Sequence, residues 1–196
     1  MGGWKGVFLF LVFLLSGCGA KVPHMGTSDY GKTKNRLLAL LPVDNKTNDQ
    51  TAALMVRKKM LEELYFKGYP KIPFKVMDEK LLKIYDGNSS KAGGNIPPKV
   101  IGELLGVDAV MYCTLNESKT SVVFFYAPTS VSLQCTLRSV KTGETLWQAR
   151  YRAVERNFGF SRRDLEMKTS KVYEGVIQKV VSEVIKTLPD GPDLLR

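Results

Sequence analysis

Residues 37–41 form an unbroken apolar run, Leu-Leu-Ala-Leu-Leu, which ends at Pro42. A strand with one solvated face alternates apolar and polar residues, whereas a strand covered on both faces is apolar throughout. The run therefore predicts a strand that is buried on both faces. A chain with such a strand needs a sheet that carries other elements on either side of it.

Further patterns predict the other elements. Apolar residues at helical spacing stop at Gly68, which predicts the end of one helix. Another predicted helix begins at two prolines and ends at Gly106. Alternating residues then predict a three-stranded meander, and a long amphipathic helix follows it. The predicted elements are a strand at 37–41, a helix at 53–65, a short strand at 74–77, short helices at 79–85 and 97–105, strands at 109–116, 130–140 and 145–153, and a helix at 164–188.

This order of elements, β-α-β-α-α-β-β-β-α, predicts the fold class. It is typical of an α+β fold, an α/β sandwich in which helices pack against a mixed sheet. Residues 36–190 suffice for a single α+β domain with its own core, and residues 191–196 form a C-terminal tail.

The N-terminal residues have the pattern of a lipoprotein signal peptide. Lys5 precedes the ten apolar residues 6–15, and the small residues Ser16 and Gly17 precede Cys18. This pattern predicts removal of residues 1–17 and lipid modification of Cys18. The apolar run is too short for a bilayer span, which needs roughly 20 residues. An ordinary signal peptide or short anchor with a chance cysteine is the alternative.

The segment from the lipidated Cys18 to Asn35 is small and polar, without a periodic apolar pattern. It predicts a flexible tether, which as a random coil of this length would span about 23 Å. The folded domain would therefore stay close to its membrane.

The chain is basic, with a net charge of +10 that falls to +9 when the signal peptide and its lysine are removed. An exported protein meets anionic headgroups and cell-wall polymers, so the excess of positive charge favours an envelope surface over nucleic acid. A merely solvated basic exterior is the alternative, because the lysines and arginines are spread along the chain.

Two cysteines remain besides Cys18. Cys113 and Cys135 each lie on the apolar face of a predicted strand, and a hairpin centred near Phe124 would place them opposite each other. They are either a disulfide or two buried thiols that act as small apolar residues. Two thiols are the simpler interpretation, since cross-strand neighbours often have poor geometry for a bridge.

No catalytic or cofactor motif is convincing. Residues 26–33 match the phosphate-loop pattern GxxxxGK[ST], but neither a buried strand before them nor a helix after them is predicted, so we reject nucleotide binding. The single histidine, His24, lies in the predicted tether. We therefore expect no catalytic residues, no cofactor and no metal site.

Four aspartates lie at the edges of predicted strands or loops, where some enzymes place acids. They are Asp44, Asp49, Asp78 and Asp108. A hydrolase that uses these carboxylates is one hypothesis, but aspartate is also common in turns and helix caps, and we favour structural roles for them.

The tip of the predicted hairpin breaks the usual surface pattern. Polar turn residues are expected at such a tip, but the sequence has five apolar residues in a row, which are Val122, Val123, Phe124, Phe125 and Tyr126. An exposed apolar run of this kind marks a contact with a partner or a membrane. The alternative is that the run is folded back into the core.

Three segments together resemble a family of bacterial lipoproteins of unknown function, typified by a neisserial surface lipoprotein antigen. They are RLLALLPVDN at 36–45, LLGVDAVMY at 104–112 and TGETLW at 142–147. The family is similar in fold to the TolB amino-terminal domain, the periplasmic part of CsgG and the Lpo-type activators of peptidoglycan synthases. The resemblance implies an α+β accessory domain without established catalytic residues.

The leading functional hypothesis is a non-enzymatic envelope lipoprotein that serves as an interaction subunit of an export or assembly complex. Gly19 follows the cysteine, which by analogy with lipoprotein families favours the outer membrane. The expected partners are the membrane itself, envelope proteins including other lipoproteins, and a second copy of the chain in a homodimer. A regulator of peptidoglycan synthesis is the alternative binding role.

Overall fold

A computed structural model describes residues 22–26, 37–84 and 96–193. Ten elements lie in these ranges. They are β1 (His24–Gly26), β2 (Leu38–Leu40), β3 (Asp44–Asn45), α1 (Gln50–Phe66), α2 (Phe74–Leu81), α3 (Pro98–Leu105), β4 (Ala109–Thr120), β5 (Tyr126–Ser139), β6 (Thr145–Phe158) and α4 (Arg162–Lys186).

The six strands form one mixed sheet in the order β1-β6-β5-β4-β2, and β3 pairs with β4 further along. The meander β4-β5-β6 is antiparallel, β1 is antiparallel to β6, and β2 and β3 are parallel to β4. The predicted α+β fold, a mixed sheet with helices packed against it, is therefore confirmed.

Strand β2 is buried on both faces, as its apolar run predicts. Leu38 and Leu40 belong to the larger apolar cluster, to which α1, α4 and the meander contribute. Ala39 and Leu41 belong to a second cluster with residues of α2 and α3. Because successive side chains of a strand point to opposite faces, this split places α1 and α4 on one face of the sheet and α2 and α3 on the other.

The antiparallel meander extends beyond its predicted ends. Strand β4 continues to Thr120, β5 begins at Tyr126 and β6 continues to Phe158. The register of β4 and β5 shifts between Leu115 and Glu117, so Asn116 is an extra residue in β4. This bulge moves the centre of the hairpin from Phe124 to the bond between Phe124 and Phe125.

The prediction of a strand at residues 74–77 is wrong. These residues begin helix α2, which runs from Phe74 to Leu81 and includes part of the helix predicted at 79–85. Met77 and Leu81, four residues apart, are its buried residues, which is the spacing of one helix face. Four residues are too few to distinguish this period from that of a strand. Tyr85 and the loop at 86–95 lie outside the described residues.

The predicted tether also contains structure. His24–Gly26 form the edge strand β1, in register with Trp147–Ala149 of β6, and the Arg150 amide donates to the Pro23 carbonyl at 3.3 Å. Val22 packs against the larger apolar cluster. Three residues carry too short a pattern to stand out from a polar segment, and their strand forms because the edge of β6 offers free backbone groups.

Helices α1 and α4 close the larger apolar cluster and are tied to each other and to the sheet. The Asp49 side chain caps α1 by accepting from the Ala52 amide at 2.9 Å. At the end of α4, the indole of Trp147 donates to Thr187 at 3.2 Å. The observed bounds of α1 and α4 lie within three residues of the predicted bounds.

Gly102 in α3 allows a close approach to Val140, which follows β5. A Cβ at position 102 would lie 2.1 Å from a Val140 methyl carbon. We expect Gly102→Ala to lower the free energy of unfolding by about 1–2 kcal/mol, because the clash outweighs the better helix propensity of alanine. Chemical denaturation measures this change.

Gly175 in α4 is the matched control, because a Cβ there would meet no atom within 4 Å. We expect Gly175→Ala to raise the free energy of unfolding by about 0.5–1 kcal/mol. Equal effects of the two substitutions would contradict the packing described for Gly102.

Candidate functional site

The β4–β5 hairpin ends in a tight two-residue turn. Val123 and Tyr126 exchange backbone hydrogen bonds of 2.8 and 2.9 Å, and Phe124 and Phe125 are the two turn residues between them. Phe124 has a φ of 51° and is the only residue other than glycine with positive φ in the described ranges. Glycine and asparagine are the residues that usually occupy such positions.

The two turn phenylalanines are exposed, Phe124 by 87% and Phe125 by 63%. The adjoining end of β6 adds Phe158, exposed by 66%, and Phe160, exposed by 97%. We call this exposed apolar group the aromatic tip. It consists of Val122, Val123, Phe124, Phe125, Phe158 and Phe160. Scattered exposed apolar residues are normal, but a contiguous group marks a contact surface.

Phe158 and Phe160 are absent from the contact run predicted at 122–126. Phe158 joins it because β6 extends five residues beyond Ala153, where the predicted strand ends, and Phe160 follows two residues later. Strand pairing sets Phe158 opposite Tyr126, and their ring centres are 5.2 Å apart. Tyr126 itself is half-buried. No local pattern indicates this extension, because Glu155 and Asn157 interrupt the apolar face of β6 after Ala153.

The β4–β5 hairpin is fixed to the rest of the domain at two points, one at its turn and one further along its strands. The Gly159 amide donates to the Phe125 carbonyl at 3.0 Å, so β6 holds the turn directly. Below it, the Tyr173 hydroxyl of α4 donates to the Asp49 carboxylate, and the Ser118 hydroxyl of β4 bonds to both. This cluster joins α1, β4 and α4 at the level of the Ser118–Val131 pair, six residues along β4 from Phe124.

The electrostatics of this cluster keep its tyrosine neutral. Burial and the hydrogen bond to Asp49 raise the pKa of Tyr173 to about 12. Burial alone would raise the pKa of Asp49, but the bonds from Tyr173, Ala52 and Ser118 together lower it below its usual value. Near neutral pH the cluster is a carboxylate with hydroxyl donors, which suits a structural tie.

A second polar group lies on the face of the meander opposite α1 and α4. Glu117 accepts from the Arg152 guanidinium at 2.6 and 3.0 Å and from the Ser130 hydroxyl at 2.6 Å. These bonds from Arg152 and Ser130 lower the pKa of Glu117 to about 2. The group joins all three strands of the meander close to the tip.

The other three aspartates of the hydrolase hypothesis, like Asp49, bind groups within the domain. Asp78 of α2 binds the buried guanidinium of Arg57 at 2.6 and 2.7 Å. Asp108 accepts from the Leu37 amide at 2.9 Å, and Asp44 pairs with Lys46 at 2.9 Å. The four carboxylates are thus engaged in separate local interactions.

Several other sequence-predicted features are less informative. Cys18 and residues 27–33 of the phosphate-loop match lie outside the described residues, and Gly26 belongs to β1. His24 is exposed, and its Nδ1 lies 3.0 Å from the Val22 carbonyl oxygen. Among the described residues, no helix is long and apolar enough to cross a membrane, and no three His, Cys, Asp or Glu side chains are grouped to hold a metal.

Cys113 and Cys135 are directly paired in the β4–β5 ladder, with their Cα atoms 4.1 Å apart. Their sulfur atoms are 2.09 Å apart, which is a bonded distance. Both residues are buried in the larger apolar cluster under α1 and α4.

We predict that the protein recovered from an oxidising compartment contains this disulfide. Peptide mapping without reductant should show residues 113 and 135 in one cross-linked pair of peptides, which reductant separates. The same samples alkylated before digestion provide the control. Full alkylation of both thiols without reductant would contradict the bridge and favour two buried thiols.

The turn conformation predicts an opposite effect for two neighbouring glycine substitutions. Phe124→Gly should raise the free energy of unfolding by up to about 1 kcal/mol, because glycine adopts positive φ without steric cost. Phe125→Gly, at a position without positive φ, should lower it by about 0.5–1 kcal/mol through added chain entropy. Thermal and chemical unfolding would measure both, and equal destabilisation would argue against strain at Phe124.

Comparison with known proteins agrees with this architecture. A family model described as "Putative lipoprotein GNA1162-like" matches residues 26–193. A protein of Neisseria meningitidis serogroup B described as "Putative lipoprotein NMB1124/NMB1162" is 26% identical over 140 residues. The match covers 71% of this chain and 65% of that protein, a little under two thirds of the relative's length.

Two solved structures share the fold. The crystal structure of lipoprotein GNA1162 from Neisseria meningitidis is 23% identical, with a TM-score of 0.53 over 71% of this chain and 96% of that one. A PelC dodecamer from Paraburkholderia phytofirmans is 14% identical, with a TM-score of 0.50 over 84% of this chain and 96% of that one. The family model covers most of the chain, so this protein belongs to the GNA1162-like lipoprotein family.

Proposed function

We propose that this protein is a membrane-anchored lipoprotein of the outer membrane that acts as a non-enzymatic interaction subunit of an envelope export or assembly complex. Cys18 carries the lipid, and the domain that follows supplies contact surfaces. The single observation that supports this role best is the aromatic tip, because it exposes four phenylalanines at the end of the meander.

The build of the tip favours contact over catalysis. A tight turn with positive φ is stabilised by glycine or asparagine, yet this chain carries Phe-Phe there. Backbone strain lowers stability and is concentrated at functional positions, and the exposed phenylalanines contribute little burial free energy that would offset it. By contrast, the four candidate acids are engaged in a helix cap, a hydrogen bond to a backbone amide and two ion pairs.

The membership of a family described as lipoproteins supports the anchor. The fold is also compatible with self-assembly, since the similarly folded PelC is described as a dodecamer. A second copy of this chain is therefore one of the partners that an experiment should look for.

Replacing Phe124 and Phe125 with serine tests the contact role. We expect at least tenfold less recovery of neighbouring envelope proteins when the tagged lipoprotein is captured after cross-linking in cells. Each buried phenylalanine contributes roughly 1.5–3 kcal/mol, and about 1.4 kcal/mol corresponds to a tenfold change in affinity. The free energy of unfolding should change little, because both side chains are exposed.

Tyr65 and Phe66 offer a matched control. They are a second pair of adjacent exposed aromatic residues, in the last turn of α1. Tyr65→Ser with Phe66→Ser removes a similar apolar area and should leave recovery unchanged. Equal recovery with both double variants would refute a contact at the tip. Absence of acyl labelling at Cys18 in the parent would refute the lipoprotein role.

A further inference from the structure

The aromatic tip has a defined position relative to the N-terminal anchor. Strand β6 runs toward the tip, from Thr145 to Phe158, and β1 is antiparallel to it. Followed backward from His24, the chain therefore moves along β6 in the direction of Phe158. The hydrogen bond from the Arg150 amide to the Pro23 carbonyl shows this direction continuing past the end of β1.

Strand β1 also shortens the link between the anchor and the domain. Val22 is already packed in the core, so Cys18 precedes an ordered residue by only four positions. Four residues reach at most about 14 Å when fully extended. A lipid on Cys18 would hold the side of the domain near Val22 close to the bilayer.

The geometry brings the anchor and the tip to one plane. By continuing the register, Val22 lies beside Tyr151, seven residues from Phe158, or about 24 Å along the strand. The hairpin lies between the second and third neighbours of β1 in the sheet, about 12 Å across. A reach of up to about 14 Å from Val22 is comparable with these distances, so one bilayer surface inclined to the strands would be accessible to both a lipid on Cys18 and the tip.

We infer that the aromatic tip is the lipid-facing end of the domain and inserts into the surface of the bilayer that holds the Cys18 anchor. This inference rests on the proposed lipid anchor. The occupant of the tip is a phospholipid surface with anionic headgroups. Phe124, Phe125, Phe158 and Phe160 enter the interfacial region, where apolar side chains contribute binding in proportion to their buried area.

The charge around the tip fits such a surface. The two segments that build it, residues 119–129 and 154–164, contain four basic and two acidic residues. Lys119, Arg156 and Arg163 are exposed. Basic side chains beside apolar ones bind anionic headgroups at the same depth. A tip in the bilayer fixes the orientation of the domain, so the loss of partner recovery expected for the serine variant would follow from lost orientation.

Tryptophan placed at the tip reports its surroundings. The full chain is produced in bacteria that process lipoproteins, and the acylated protein is reconstituted in vesicles of phosphatidylethanolamine and phosphatidylglycerol. In Phe124→Trp, phospholipids with brominated acyl chains should quench the fluorescence of the added tryptophan several-fold. Acrylamide, which stays in the water, should quench this tryptophan less than it does when the protein is unfolded in denaturant. Phe160→Trp lies outside the strained turn and should show the same quenching pattern. It therefore serves as the probe of the tip if Phe124→Trp folds poorly.

Phe66→Trp is the control, since Phe66 is 73% exposed at the opposite end of α1 from the capping residue Asp49. Its fluorescence should be quenched by acrylamide and unaffected by brominated lipid. The wild-type protein gives the background of the buried Trp147.

Each result decides the proposal. Quenching by brominated lipid at positions 124 and 160 alone supports a membrane-facing tip. A tip residue that acrylamide quenches as readily as Phe66→Trp overturns it, as does a tip shielded from both quenchers, which would indicate a protein interface. In those two cases an acylated Cys18 leaves the proposed lipoprotein role intact, whereas an unacylated Cys18 removes that role itself.

Discussion

The rest of the structure depends on the antiparallel register of the β4-β5-β6 meander. Apolar and polar residues alternate along these strands, and a slip of one residue would turn the core side chains to solvent. The register pairs Cys113 with Cys135 and Tyr126 with Phe158, and it brings Glu117 beside Arg152. The same register closes the hairpin at Phe124 and Phe125, so the position of the aromatic tip follows from packing in the core.

The tip combines local cost with firm support. The positive φ of Phe124 reduces stability, and the four exposed aromatic rings contribute little burial free energy to the fold. The hydrogen bond from Gly159 to Phe125 ties the turn to the chain that follows β6, and the cluster of Asp49, Ser118 and Tyr173 ties the strands of the hairpin to α1 and α4 further along. An apolar surface presented rigidly loses little conformational entropy on contact. A small loss of conformational entropy on contact favours docking.

The strand β1 links the fold to the proposed anchor. It adds to the open edge of β6, and its direction leads the chain toward the tip. Only three residues therefore separate Cys18 from Val22 in the core, far fewer than in the tether predicted from composition. A short connection limits the orientations of a domain at a membrane, whereas a long coil would permit nearly all of them. With the proposed anchor at Cys18, orientation at the membrane would depend on three residues of edge strand.

The sequence by itself determined the elements whose patterns are long. The apolar run of β2, the helical spacing of α1 and α4, and the alternation in the meander were sufficient for the α+β fold and for the hairpin near Phe124, because each pattern spans enough residues to show its period. The tertiary structure alone decided the short elements. Residues 74–77 became a helix because Met77 and Leu81 pack together under the sheet, and His24–Gly26 became a strand because β6 had an unpaired edge. It also joined Phe158 and Phe160 to the tip, since strand length is set by what a strand pairs with, and local sequence does not contain that information.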